Sequence, residues 1–269
     1  MQGNIEQALM LVAAGNAYLG GRDIAGFWPK ARVFTWTRAC EFRIASASGE
    51  GEFPLRAADP MAWFASLKPW CRGLRLHQME RPLRENQMPG ISPRMLVAFV
   101  GGGPRWVIEA VGQTTAEMWE GFDKLGDRNA PDRKIWSTTY VLLGETRPDA
   151  LETVAFDAAV SRLRDVLPRI EAFARKETYD PFADCFARAL TALDGGPGSF
   201  DADDDFTRYA GMLPGQQRIR LAIGHAWVFG GMGSWNDIGG TGPEYEQLSE
   251  ELFTALNDAT CGLANSTFR

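Results

Sequence analysis

The sequence has no apolar run long enough to cross a membrane. Its longest uninterrupted apolar stretches are "ALMLVAA" at 8–14 and "MLVAFV" at 95–100, whereas a membrane-spanning helix needs about 20 residues. No basic residues precede the first of these stretches, and Glu6 comes just before it. The start of the chain therefore predicts an amphipathic helix rather than a signal peptide, and we expect no membrane partner.

Cysteine and histidine are also scarce. The four cysteines are far apart and form no C-x-x-C motif, and the two histidines are His77 and His225. Scattered cysteines are typical of a reducing cytoplasm, where they act as small apolar residues. We therefore predict a cytoplasmic protein with no cofactor and no histidine-based metal site. A magnesium or calcium site built from acids that meet only in the fold stays open.

Basic residues are missing from the C-terminal part, since residues 221–268 contain neither lysine nor arginine. Residues 1–147 carry a formal charge of +3 and residues 148–269 carry −9, which gives the net charge of −6. Such an acidic half repels nucleic acid and anionic membrane surfaces, so we expect no general nucleic-acid binding. An arginine-rich stretch at 68–84 could bind an anion or dock on the acidic half.

The apolar pattern before residue 148 alternates as strands do, with short helices between them. Asp59-Pro60 is typical of a helix start, and residues 115–125 could form a further helix. The segments "RMLVAFV" and "RWVIEAV" flank "GGGP" and predict a β-hairpin. The predicted strands, about five in all, lie at 31–46, at 73–78, in the hairpin at 94–111 and at 134–144.

After Pro148 the apolar residues recur at three and four positions, which is the helical period. Residues 216–229 fit a strand as well, but their apolar face favours a helix. We therefore expect an α+β protein, with an antiparallel sheet of about five strands and short helices in 1–147 and a helical part in 148–269 packed on it. One continuous domain is an equally open alternative, because the joint near 144–150 is short.

Residues 230–242 are the most conspicuous candidate site, because they hold six glycines in thirteen positions around Trp235, Asn236 and Asp237. The register from Gly231 lacks the third glycine of a dinucleotide-binding loop, and no lysine is present for a P-loop. Two glutamates in the next helix would already occupy its positive end. The pattern therefore argues against a phosphate site.

Two interpretations of this segment stay open. In the conformational one, the glycines end one helix and start the next, Trp235 fills the core, and Asn236 or Asp237 makes an Asx turn. In the functional one, these three residues form a recognition surface whose glycines let the backbone approach a ligand. The glycines outnumber what two helix ends and a turn require, and this excess motivates the functional interpretation.

Glu109 is a second candidate for acid–base chemistry. Val107 and Val111 share its strand face, and an apolar surrounding suits a carboxyl group that transfers protons. An ion pair with Arg38 or Arg43 on a neighbouring strand is the structural alternative.

Two functional hypotheses follow. The first is a binding or accessory protein of the inhibitor, immunity or adaptor type, motivated by nine tryptophans and by the acidic helical half, since tryptophan is enriched at interfaces. Its partner would be a protein or a small molecule. The second is a small-molecule enzyme whose site lies between the sheet and the glycine-rich loop at 230–242, with Asp237 or Glu109 as acid or base and Arg75 holding an anionic substrate. The predicted contact residues are Trp235, Asn236, Asp237 and Arg75.

Overall fold

A computed structural model describes residues 3–45, 53–80, 91–99, 101–238 and 242–268. These residues form an α+β fold with a six-stranded sheet, which confirms the predicted class. The strands are β1 (Thr37–Ile44), β2 (Leu55–Ala57), β3 (Gly73–Met79), β4 (Arg105–Val111), β5 (Ala116–Leu125) and β6 (Trp136–Thr146).

The strand order in the sheet is β2-β1-β6-β5-β4-β3. All neighbouring strands pair antiparallel except β1 and β6, which run parallel. The sheet is thus mostly antiparallel, with one more strand than expected and one parallel pair.

The predicted hairpin at 94–111 is wrong. Residues 93–96 form a short helix instead, because Pro93 occupies its first turn and the Ser92 hydroxyl accepts a hydrogen bond from the backbone N–H of Arg94 at 3.2 Å. Strand β4 pairs with β5 across a tight turn. The possible helix at 115–125 is therefore a strand, since pairing on both of its edges overrides its local helical propensity.

Most of the helices lie in the second half of the chain. Asp59 caps the third helix as predicted, because its Oδ1 accepts from the backbone N–H of Ala62 at 2.8 Å. The helices are α1 (Gly3–Leu19), α2 (Phe27–Lys30), α3 (Pro60–Leu67), α4 (Pro93–Leu96), α5 (Phe156–Lys176), α6 (Asp180–Leu193), α7 (Asp205–Arg208), α8 (Pro214–Ala226) and α9 (Gly242–Asn265).

One face of the sheet packs on α1, which is buried along most of its length. Helix α9 contacts α1, β3, α5 and α8, so it joins the sheet to the helical half. The buried apolar side chains form one cluster that contains Phe42 and Trp119 from the strands together with Leu163 and Leu252 from α5 and α9. Within the described ranges, each helix is too short or too polar to span a bilayer.

Two asparagine side chains pair with the outer edge of β3. The amide of Asn265 accepts from the backbone N–H of Leu76 at 2.7 Å and donates to its carbonyl at 3.1 Å. Asn16 of α1 does the same with Leu74, at 2.6 and 2.9 Å. These side chains satisfy backbone groups that an edge strand would otherwise expose, and they fix both helices against the sheet.

Candidate functional site

Trp235 lies in the core rather than on a surface. It is completely buried, and its Nε1 donates a hydrogen bond to the Ser249 hydroxyl at 2.7 Å. The hydroxyl of Tyr245 donates to the Trp235 backbone carbonyl. This placement is the one that the conformational interpretation describes. Five aromatic rings pack around the indole, with centroids 5.2–6.4 Å away, and they belong to Phe173, Tyr179, Phe182, Phe186 and Tyr245.

Asn236 holds a buried arginine that no sequence pattern singles out. Arg94 of α4 is 1% exposed, and its Nη1 donates to the Asn236 side-chain oxygen at 2.6 Å. The Asn236 amide donates back to the Arg94 carbonyl at 2.9 Å. Glu246 and Glu250 of α9 pair with the same guanidinium at 2.7 and 3.0 Å. Asn236 thus anchors α4 to the helical half.

Asp237 and the nearby glycines shape a turn. The Asp237 side chain is exposed, and its Oδ2 accepts from the backbone N–H of Ser234 at 2.9 Å. Gly230, Gly231 and Gly233 have φ values of 91°, 83° and 76°, which side-chain-bearing residues rarely adopt. At least these three glycines are therefore required by the path of the backbone. Two others, at 239 and 240, lie outside the described residues.

The structure brings Glu109 and Arg75 together but places Asp237 elsewhere. Glu109 is fully buried, and its Oε2 lies 2.8 Å from His77 Nε2 and 3.8 Å from Arg75 Nη1. Arg75 also pairs with Asp149 at 2.6 Å. The prediction that Glu109 pairs with Arg38 or Arg43 is wrong. Arg38 pairs with Asp132 at 3.0 Å, and Arg43 pairs with Glu41 at 2.7 Å.

Two adjoining cavities lie on the side of the sheet that packs on α1. Their volumes are about 310 and 200 Å³, and they adjoin because Asn4, Gly101, Gly102, Asp123 and Thr138 line both of them. We call them together the α1 cleft. Its other lining residues are Gly3, Gln7, Ala8, Val33, Trp36, Thr37, Val97, Ala98, Phe99, Pro104, Trp106, Glu120, Gly121, Phe122, Trp136 and Tyr140.

Aromatic side chains line the α1 cleft. Trp36 and Phe99 are 50% and 67% exposed, and Trp136 is partly exposed. Large apolar side chains that stay exposed around one cavity are typical of an interaction site rather than of a core.

One carboxyl group lines both cavities of the cleft. Asp123 on β5 accepts a hydrogen bond from the Thr138 hydroxyl on β6 at 2.7 Å. Burial raises the pKa of the Asp123 carboxyl above its ordinary value, and the hydrogen bond from Thr138 opposes this shift in part. A half-buried carboxyl group of this kind can pair with a cation or transfer a proton.

Neutral polar side chains complete the cleft floor. The Tyr140 hydroxyl donates to the side-chain oxygen of the buried Gln7 at 3.4 Å. Burial raises the pKa of Tyr140 well above its ordinary value, with Cys40 and Asp123 adding to the shift, so the phenol stays neutral. Glu120, also in the lining, pairs with Arg105 at 2.7 Å.

The glycines that the sequence places in a hairpin turn instead form a wall of the cleft. A Cβ atom on Gly102 would lie 1.9 Å from the Leu96 carbonyl oxygen, so only glycine fits there. Residues 97–99, which follow α4 directly, belong to the same wall, and α4 is the helix that Arg94 anchors.

Neither a metal-binding cluster nor a similar protein indicates what the cleft binds. Among the described residues, no group of three or more His, Cys, Asp or Glu side chains is arranged to hold a metal ion. No family model matches the chain, and no curated protein or solved structure is significantly similar to it.

Proposed function

We propose that this protein binds a small molecule in the α1 cleft. The observation that carries the proposal is the convergence of exposed aromatic side chains and one half-buried carboxyl group on a cavity of about 310 Å³. Small-molecule sites are concave, mostly apolar and supplied with a few well-placed polar groups, and they start at about 300 Å³. The cleft meets each of these criteria.

This proposal develops the first hypothesis from the sequence, which allows either a protein or a small molecule as partner. A cavity flanked by Trp36 and Phe99 favours the small molecule, because flat partners gain most from enclosure between aromatic side chains. The inhibitor, immunity or adaptor roles stay predictions.

One observation favours an enzymatic alternative at the same place. The raised pKa of Asp123 brings its carboxyl group closer to the range in which a general acid or base works. In this version Asp123 takes the role that the sequence suggested for Asp237 or Glu109, neither of which lines the α1 cleft. Conversion of the bound molecule by the wild type, and its loss in Asp123→Asn, would identify this activity.

Native mass spectrometry tests the binding proposal. The protein is incubated with a small-molecule extract of its expression host, and unbound material is removed by ultrafiltration. We expect the wild type to retain one added small mass and Trp36→Ala to lose it, because Trp36 lines the cleft yet is half exposed and therefore contributes little to the core.

Phe200→Ala is the matched control. Phe200 is 46% exposed, similar to Trp36, and it does not line the α1 cleft, so this variant should retain the same mass. If the wild type retains nothing, or if Trp36→Ala retains the mass as fully as the wild type, the proposal is wrong.

A further inference from the structure

The charged side chains in the described lining of the α1 cleft are acidic. They are Asp123 and Glu120, and none of the described lining residues is lysine, arginine or histidine. Glu120 is paired with Arg105, through bonds of 2.7 and 2.9 Å from the guanidinium. Asp123 accepts from the neutral hydroxyl of Thr138. The carboxyl group of Asp123 therefore has no basic neighbour among the described residues that line the cleft.

We infer that the ligand of the α1 cleft is a small organic cation, a protonated amine on a flat apolar group. This inference rests on the proposed function and names the ligand class for the same site. An ammonium group would donate a charge-assisted hydrogen bond to Asp123, which is roughly twice as strong as a neutral one.

The aromatic lining fits the same ligand class. Trp36, Trp136 and Phe99 can contact the flat part of the ligand, and aromatic ring faces also attract cations. A carboxylate in a half-buried position is poorly solvated, and a bound cation would offset that cost. We therefore expect ligand binding to keep Asp123 ionised.

The start of α1 opposes this preference only weakly. Gly3 and Asn4 line the cavity, and a helix N-terminus carries about half a positive charge, which favours anions. However, Glu6 already lies in this first turn, and Asp123 carries a whole charge. An anionic ligand would therefore meet net repulsion in the cleft.

A matched set of probes tests the charge preference. The probes are tryptamine, tryptophol and indole-3-acetate, which share one ring and carry a cationic, a neutral and an anionic group at neutral pH, together with phenethylamine and its alcohol and acid counterparts. Isothermal titration calorimetry measures the Kd of each. We expect at least one amine to bind the wild type about tenfold more tightly than its alcohol, because a hydrogen bond to a charged group exceeds a neutral one by about that factor.

Asp123→Asn should remove this preference by weakening the amine to the affinity of the alcohol, while the affinity of the alcohol changes little. Glu152→Gln is the control, because it removes one negative charge from an exposed side chain that does not line the cleft, and it should keep the preference. A urea unfolding curve confirms that each variant is folded.

Three results would overturn the inference. They are an alcohol or acid that binds as tightly as its amine, an amine preference that survives in Asp123→Asn, and a wild type that binds none of the amines. The native mass spectrometry experiment with the host extract distinguishes a failure of the cationic-ligand inference from a failure of the proposed small-molecule site. A retained mass that depends on Trp36, together with any of these results, leaves the small-molecule site standing and removes only the cationic ligand.

Discussion

The Nε2 atom of His77 lies 2.8 Å from the Oε2 atom of Glu109, and both side chains are buried inside the sheet. The two residues are on neighbouring strands, and Arg75 on the same strand as His77 approaches Glu109 to 3.8 Å. The second carboxylate oxygen, Oε1, has no hydrogen-bond partner among the residues that the structure describes. Neither Glu109 nor His77 lines the α1 cleft, so we interpret this group as structural.

Glu109→Gln should therefore lower the stability of the protein. The substitution preserves volume but removes the charge that faces His77 and Arg75, and breaking a buried ion pair from one side costs about 3 kcal/mol or more. Urea-induced unfolding, followed by far-UV circular dichroism, measures the change in the free energy of unfolding. Tryptamine binding in the α1 cleft should be unchanged.

Glu41→Gln is the matched control for this prediction. Glu41 pairs with Arg43 at 2.7 Å, but both side chains are about 30% exposed, and exposed pairs contribute about 0–1 kcal/mol. Equal effects of the two substitutions would mean that the burial of Glu109 does not matter.

The sequence predicts the long elements of this fold better than its pairings. The last helix, Gly242–Asn265, lies in the part of the chain whose apolar repeat at three and four positions predicts helices, and its repeat is long and regular. The hairpin at 94–111 failed because the sequence does not show that Ser92 caps a helix, or that β4 pairs with the segment after it. Pairing is a non-local property, and local patterns do not encode it.

The α1 cleft could not be found from the sequence for the same reason. Its members come from α1, from the segment just before β1, from the wall that follows α4, and from the four strands β1, β4, β5 and β6, so no short segment contains them. The number of tryptophans is the one signal that the sequence offers, since three of them line the cleft, but a count does not give positions. The glycine-rich segment was conspicuous for a conformational reason, namely the positive φ values at Gly230 and Gly231.

Trp235→Phe should weaken the fold and leave ligand binding intact. The smaller ring cannot donate to the Ser249 hydroxyl, and the loss of one hydrogen bond costs about 0.5–1.5 kcal/mol. Thermal unfolding measures the loss of stability.

Asp237→Ala should cost about 1 kcal/mol, because it removes only a turn-capping bond to an exposed carboxylate. A loss of tryptamine binding in either folded variant would instead support a recognition surface at 234–238.

Arg94→Met should affect both stability and the cleft. The substitution keeps an apolar stem but removes the bonds to Asn236, Glu246 and Glu250. We expect the free energy of unfolding to fall by about 3 kcal/mol, because the arginine is buried. The loss is not larger because both glutamates are partly exposed and water can solvate them once the arginine is gone. Tryptamine should also bind more weakly, because the cleft wall follows directly after α4. Arg164→Met, which breaks an exposed pair at 2.8 Å, should change neither quantity appreciably, and unaltered tryptamine binding in folded Arg94→Met would rule out a positioning role.

The raised pKa of Asp123 makes a prediction about pH. Its carboxyl group binds a proton more readily in the folded chain than in the unfolded chain. In the pH range between the unfolded-state pKa and the folded-state pKa, the folded state therefore holds more protons, and the free energy of unfolding falls as pH rises. Above the folded pKa the cost is fully present, and Asp123→Asn should be more stable than the wild type there, while the difference shrinks as pH falls through that window. Urea unfolding of both proteins at a series of pH values measures this difference.

With saturating tryptamine the wild type should regain stability that Asp123→Asn does not, because the bound cation offsets the buried charge. A difference in stability that is independent of pH would show that Asp123 contributes through packing rather than through its charge.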